Sequence, residues 1–189
     1  MTKIKNIYGE VIFTSANRND TSKESVEQAV EANVSLMKAK LRDANLQEAN
    51  LRGAKLREAD LQNADLWRAN LQNADLWRAN LQNADLRGAD LQDAQMQRAD
   101  LRGAKLQGAN LRGADLQGAD LGGAKLQGAN LHNAKITIGN RVFTLKEETN
   151  VAPEVWKYGP VFSKLYRAMR GFGGRRIKAP IVDLFFRKD

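Results

Sequence analysis

LMKAK LRDAN LQEAN LRGAK LREAD, residues 36–60, opens a run that repeats in steps of five as far as residue 136. Leu holds the first place of every step from Leu36 to Leu131, with Met96 the single exception, and Ile136 closes the series. Ala stands two residues before each of these places from Leu41 onward, from Ala39 to Ala134 without a miss. The residue between Ala and Leu is almost always Asn, Asp or Lys. A helix advances about 100° per residue, so a period of five spreads Leu around its whole circumference and leaves no apolar face. A flat strand fails too, because an odd step sends alternate Leu residues to opposite faces. Every Leu points inward only if the chain turns once per repeat. Four short faces then close a square, and one circuit takes 20 residues, near the short end of known solenoid repeats. Circuits stacked about 4.8 Å apart give some five coils and a rod roughly 24 Å tall.

The motifs ANLQN, ADLWR, ANLRG, ADLQG and ANLHN resemble those of the pentapeptide-repeat family, over residues 36–136. The resemblance implies an all-β solenoid, a right-handed quadrilateral β-helix; the handedness comes from the family and not from the period. The start of the chain, with Tyr8-Gly-Glu-Val-Ile-Phe-Thr14 before a helix, is similar to short members from phages and prophages. Three parts are expected: an N-terminal strand–helix cap over 1–35, the β-helix over 36–136, and a basic C-terminal module over 137–189.

The flanks are read from local signals. Residues 8–14 form a short strand. Thr21 and Glu24 make a capping box for a helix over about 22–32, stopped by a left-handed Asn33. That helix covers the open edge of the first coil, since solenoid ends need caps. Within the coil, residues 20 apart stack. Trp67 then faces Arg87 and Trp77 faces Arg57, within cation–π reach. Glu58 is set against Arg78 and Glu48 against Arg68. Asn50, Asn70, Asn110 and Asn130 form an amide ladder broken by Asp90. The place two after each Leu is often charged or Asn up to Asn83 and mostly Gly from Gly88 to Gly128, which suits type II-like turns. After the coil, residues 135–145 read as a hairpin turning at Gly139-Asn140. Two helices follow, opening at Pro153 and Pro160. A loop spans residues 171–176, and residues 180–186 are extended and apolar.

Of 189 residues none is Cys, and His132 is the only histidine, so disulfide, thiolate and ordinary zinc chemistry are excluded. There is no Walker or dinucleotide motif, the carboxylate pairs Asp65/Asp85 and Asp100/Asp120 lie on convex faces, and no enzyme or cofactor is expected. The first residues lack the apolar core of a signal peptide and no apolar run reaches membrane length, so a cytoplasmic protein is expected. The net charge of +8 is uneven: −1 over residues 1–35, +3 over 36–135 and +6 over 136–189.

The functional expectation is a non-enzymatic interaction or scaffold protein that meets a protein partner, an acidic one where the basic patch makes the contact. Trp67 and Trp77 are its aromatic contact points. Lys164, Arg167, Arg170, Arg175 and Arg176 form its basic patch. Two alternatives stay open. The family resemblance admits a DNA mimic that inhibits or protects DNA gyrase, against which the coil's positive charge counts. The C-terminal segment could instead bind nucleic acid or an anionic membrane. That segment either caps the last coil of a monomer or pairs two copies in a homodimer.

Overall fold

The structure, a computed structural model, describes residues 2–17, 21–138, 141–145 and 186–188. The period of five does turn the chain once per repeat. Parallel pairing joins residues 20 apart in four ladders, such as Lys40–Asp60–Asn80–Asp100–Asp120 and Asn50–Asn70–Asp90–Asn110–Asn130. Four ladders mean four sides, and residues 36–136 form a quadrilateral β-helix. Its interior holds the Leu and Ala places: from Leu46 to Ala114 every one is at most 2 % exposed, and Met96 is as buried as its Leu neighbours.

One step shows how the backbone is satisfied. Leu66 N–H donates to the Asp85 carbonyl and Arg68 N–H to that of Arg87, both in the following coil. Ala69 N–H closes the corner on the Leu66 carbonyl at 3.0 Å, and Asn70 N–H reaches Ala49 in the preceding coil at 2.9 Å. Only Trp67 N–H is left over, and the Asp65 carboxylate accepts it at 3.1 Å. The same bond recurs from Trp77 to Asp75, Gln82 to Asn80 and Arg112 to Asn110. Asn and Asp therefore precede Leu because each caps the one N–H that the ladder cannot use.

Each corner places the residue two after Leu at positive φ, as the third residue of a type II turn requires. The sequence points to such turns where Gly or Asn stands. The structure extends them to Lys38, Glu48, Arg68 and Arg78, at φ 53° to 59°.

Before the coil, β1 (Lys3–Lys5) and β2 (Val11–Thr14) form an antiparallel hairpin. Only the second strand is expected from the sequence. The first is three residues long, with Ile4 alone buried. Helix α1 (Ser22–Glu31) starts at the expected box: Thr21 N–H donates to Glu24 at 2.7 Å, and Glu24 N–H to the Thr21 hydroxyl at 3.3 Å. Asn33 stops it at φ 55°. Val26 and Ala29 pack, fully buried, into the same core as Leu36. The first coil's outward N–H groups meet this segment: Lys40 N–H finds the Lys5 carbonyl at 2.8 Å, and Asn50 N–H the Glu27 carboxylate at 2.7 Å.

At the other end β3 (Asp115–Leu116) pairs in parallel with β4 (Lys135–Ile138), and β4 pairs antiparallel with β5 (Arg141–Leu145). This is the expected hairpin; its turn at Gly139-Asn140 lies outside the described residues. Strand β6 (Phe186–Lys188) adds to β5 at the end of the expected extended run. Leu145, 2 % exposed, covers the last coil, with its N–H on the Ala134 carbonyl. The helices expected after Pro153 and Pro160 and the loop at 171–176 lie outside the described residues.

Candidate interaction surface

Side chains on the faces largely bond to one another. Gln82 donates to Asp100 at 2.6 Å, Gln97 to Asp115 at 2.9 Å, and Arg42 to Asp60 at 3.2 Å, each across to the next coil. The amide ladder forms in two pieces. Asn70 donates to Asn50, Asn130 to Asn110, and Asn110 to Asp90. Asp90, a carboxylate, has no N–H to pass on to Asn70, so the relay stops there. Among the described residues Asp85 is the most buried carboxylate, with Arg87 at 2.7 Å and Lys105 at 3.3 Å. Burial alone would raise its pKa; the bonds from Arg87 and Lys105 outweigh that and hold it below the ordinary range. Asp100 is held low chiefly by the Arg102 guanidinium.

The corners carry what remains. Trp77 is half-buried and bears two guanidinium groups, Arg57 at 4.7 Å from the ring centroid and Arg78 at 4.3 Å. The Arg57–Trp77 stack is the one expected from the 20-residue register. For Trp67 the expected Arg87 is displaced: it forms a two-point pair with Asp85, two residues before it. A fixed carboxylate holds a guanidinium more strongly than an exposed ring does. Arg68 covers Trp67 instead, at 4.4 Å. Arg68 and Arg78 are therefore absent from the expected pairs with Glu48 and Glu58, and Glu58 bonds Lys38 at 3.6 Å. The local signal was the dipeptide Trp-Arg in two repeats, which the left-handed corner folds onto itself.

No sequence signal marks Tyr8 as a contact. Its hydroxyl meets the Lys38 ammonium at 3.0 Å, and the cation lies 5.0 Å from the ring centroid. This bond, with Glu58, holds the Lys38 pKa above its ordinary value. Lys164, Arg167, Arg170, Arg175 and Arg176 lie outside the described residues. Among the described residues no cluster of His, Asp and Glu could hold a metal ion, and no helix is long and apolar enough to cross a membrane.

The model of the family described as pentapeptide repeats matches residues 35–67, 69–108 and 104–137, more than half of the chain. Among solved structures, a pentapeptide-repeat protein from the thylakoid lumen of Arabidopsis thaliana is 31 % identical, covering 50 % of this chain and 63 % of that one, with a TM-score of 0.41. Another from the cyanobacterium Nostoc PCC 7120 is 46 % identical over 44 % of this chain and 64 % of that one, TM-score 0.37. A plasmid-mediated fluoroquinolone resistance protein is 22 % identical over 48 % of this chain and 54 % of its own, TM-score 0.36. The match thus spans less than two thirds of each of these proteins. No curated protein matches the chain.

Proposed function

We propose, for a chain that belongs to the pentapeptide-repeat family, a non-enzymatic role: a right-handed β-helical rod of about five coils that presents its corners to another protein. One observation carries this reading. The core is filled by Leu and Ala, and most Asx side chains of the faces cap the backbone, so the corners, with a few face lysines, project chemistry outward. Trp77 between Arg57 and Arg78 is the foremost of these, and Trp with Arg is the pairing that interfaces favour. In this reading the N-terminal hairpin and helix cap the first coil, as the bonds from Lys40 and Asn50 to Lys5 and Glu27 support. The C-terminal segment, +6 over residues 136–189, adds a basic surface.

A second reading is action on DNA gyrase as a DNA mimic. A mimic needs uncompensated acid, whereas Asp60, Asp85 and Asp100 each face an Arg or Lys here. Affinity capture from the native host and a gyrase supercoiling assay separate the two. A specific protein partner with unchanged supercoiling supports the first reading, and protection or inhibition of gyrase supports the second. No captured partner and no effect on gyrase would sink both.

A further inference from the structure

The four corner columns of the coil differ in charge. One column stacks Met37-Lys38, Arg57-Glu58, Trp77-Arg78 and Gln97-Arg98, tied level to level by Lys38 N–H to Arg57, Glu58 N–H to Trp77 and Arg78 N–H to Gln97. It holds Lys38, Arg57, Arg78 and Arg98 against Glu58 alone, net +3. Each of the others nets +1: Arg42 and Arg102 against Asp43, Arg68 and Arg87 against Glu48, Arg52 and Arg112 against Asp93. Glu58 is engaged by Lys38 and Arg57 leans on Asp75 at 3.7 Å, while among the described residues Arg78 and Arg98 have no carboxylate within ion-pair distance.

Exposed apolar surface gathers at the head of this same column. Met37 is 48 % exposed, Tyr8 68 % and Ile7 42 %. Ile7 N–H bonds the Lys38 carbonyl at 2.8 Å, and Tyr8 lies on the Lys38 ammonium. Tyr, Met, Trp and Arg together are the composition that marks interface centres. We propose that this corner, from Tyr8 and Met37 through Trp77 to Arg98, is a docking ridge for an acidic, extended protein segment carrying aliphatic side chains. The aliphatic groups meet Ile7 and Met37, and the carboxylates meet Arg78 and Arg98, stacked about 4.8 Å apart. The ridge is one corner wide. Beside it runs the ladder Lys40–Asp60–Asn80–Asp100–Asp120, whose carboxylates are paired with Arg42 and Arg102, so beyond Lys40 the face adds no free positive charge for a broad polyanion such as duplex DNA. Two guanidinium groups already occupy the Trp77 ring, which disfavours base stacking by a single strand.

The proposal rests on the interaction reading above and is tested apart from it. The full chain is titrated with a labelled peptide of alternating Glu and Leu and with an oligo-dT strand of equal charge. Arg78→Glu/Arg98→Glu is compared with Arg52→Glu/Arg112→Glu on another corner. Glu is compatible with the corner backbone, since Glu58 holds φ 56° in the same column. The expected result is peptide binding that weakens with salt, drops about tenfold or more in the ridge variant, and changes less than about twofold in the other. If the ridge variant fails to fold, Arg78→Gln/Arg98→Gln takes its place with a loss in the same direction. No peptide binding, equal loss in both variants, or tighter binding of the oligonucleotide overturns the ridge. A host partner retained by the folded ridge variant also overturns it while leaving the interaction reading intact.

Discussion

The corners of residues 38–98 and those of residues 103–128 share one backbone conformation and differ in what they carry. In the first group Lys, Asp, Glu, Asn and Arg hold φ between 53° and 60°, with Gly at Gly53 and Gly88. In the second group every such place is Gly. The left-handed region costs an L-residue about 1–2 kcal/mol and Gly nothing comparable. The first coils therefore give up stability to project side chains, and some of these work: Lys38 on Tyr8, Arg68 on Trp67, Arg78 on Trp77. The later coils extend the same rod with no side chain at the left-handed place, although Arg102 and Arg112 still stand beside it. The glycines are not all alike, however. A Cβ at Gly108 would meet nothing within 4 Å, whereas at Gly113 it would collide with the Asp93 carboxylate lying over it from the coil before. At Gly113 a side chain would have to displace the Asp93 carboxylate 20 places earlier, as well as accept the backbone angle.

The largest effect tests whether the two groups share one core. Leu76 and Leu111 are both fully buried, one in each part. Truncation of either to Ala is expected to cost about 2–5 kcal/mol in urea denaturation, with similar values for the two. A cost for Leu111→Ala well below that for Leu76→Ala would mean that the Gly-rich coils are looser inside and that the difference is more than surface deep. Leu86→Lys, which buries an unpaired charge, is expected to abolish folding.

The corners themselves come next. Gly108→Ala carries the backbone term alone, about 1–2 kcal/mol. Gly113→Ala adds the collision with Asp93 and costs more. Asp93→Ala in the same chain should bring the two glycine variants together. If Gly113→Ala costs no more than Gly108→Ala from the outset, Asp93 simply swings aside and the pairing between coils is permissive.

These contrasts mark what was legible in the sequence. The Leu and Ala register and the 20-residue stacking follow from the period alone, because only one geometry keeps every Leu inward. The capping box and Asn33 are local and were legible for that reason. The use of Asn and Asp before Leu was within reach: counting N–H groups per step leaves one without a ladder partner. The fate of Arg87 was not, because register puts it over Trp67 while Asp85, two residues away, competes for it. Strand β1 was missed because Lys3-Ile4-Lys5 is too short to show a period. The basic residues from Lys164 to Arg176 carry no repeat that ties them to a place in the rod.

Asp85 and Asp100 stand near the boundary between the two groups, and both carboxyls are held below their ordinary value of 3.8. A depressed pKa contributes stability that is complete above the unfolded value and is lost as pH falls through the folded one. The melting temperature should therefore hold from neutral pH to about pH 4 and fall below it. Asp85→Asn keeps an acceptor for Arg87 N–H but cannot titrate, so its melting temperature should decline less over the same range. Parallel decline in variant and parent would place the acid sensitivity elsewhere.

The smallest effect separates the two tryptophan corners. Both rings sit in the repeat Leu-Trp-Arg-Ala-Asn, so any difference between them comes from the neighbouring coils. For Trp77 the neighbour is Arg57, 4.7 Å from the ring, and its second contact, Asp75, is loose at 3.7 Å. For Trp67 the neighbour is Arg87, tied to Asp85 at 2.7 Å through two nitrogens. A double-mutant cycle on Arg57→Ala and Trp77→Leu, which removes the aromatic face, reads the first stack. It should give a coupling of about 0.5–1 kcal/mol, the range for an exposed cation–π pair. The matching cycle on Arg87→Ala and Trp67→Leu should give none, although the two residues stand in the same register. Coupling at Trp67 equal to that at Trp77 would mean that Arg87 leaves Asp85 in solution. The two corners would then be equivalent, and the charge of the Trp77 column would be the only property left to set it apart.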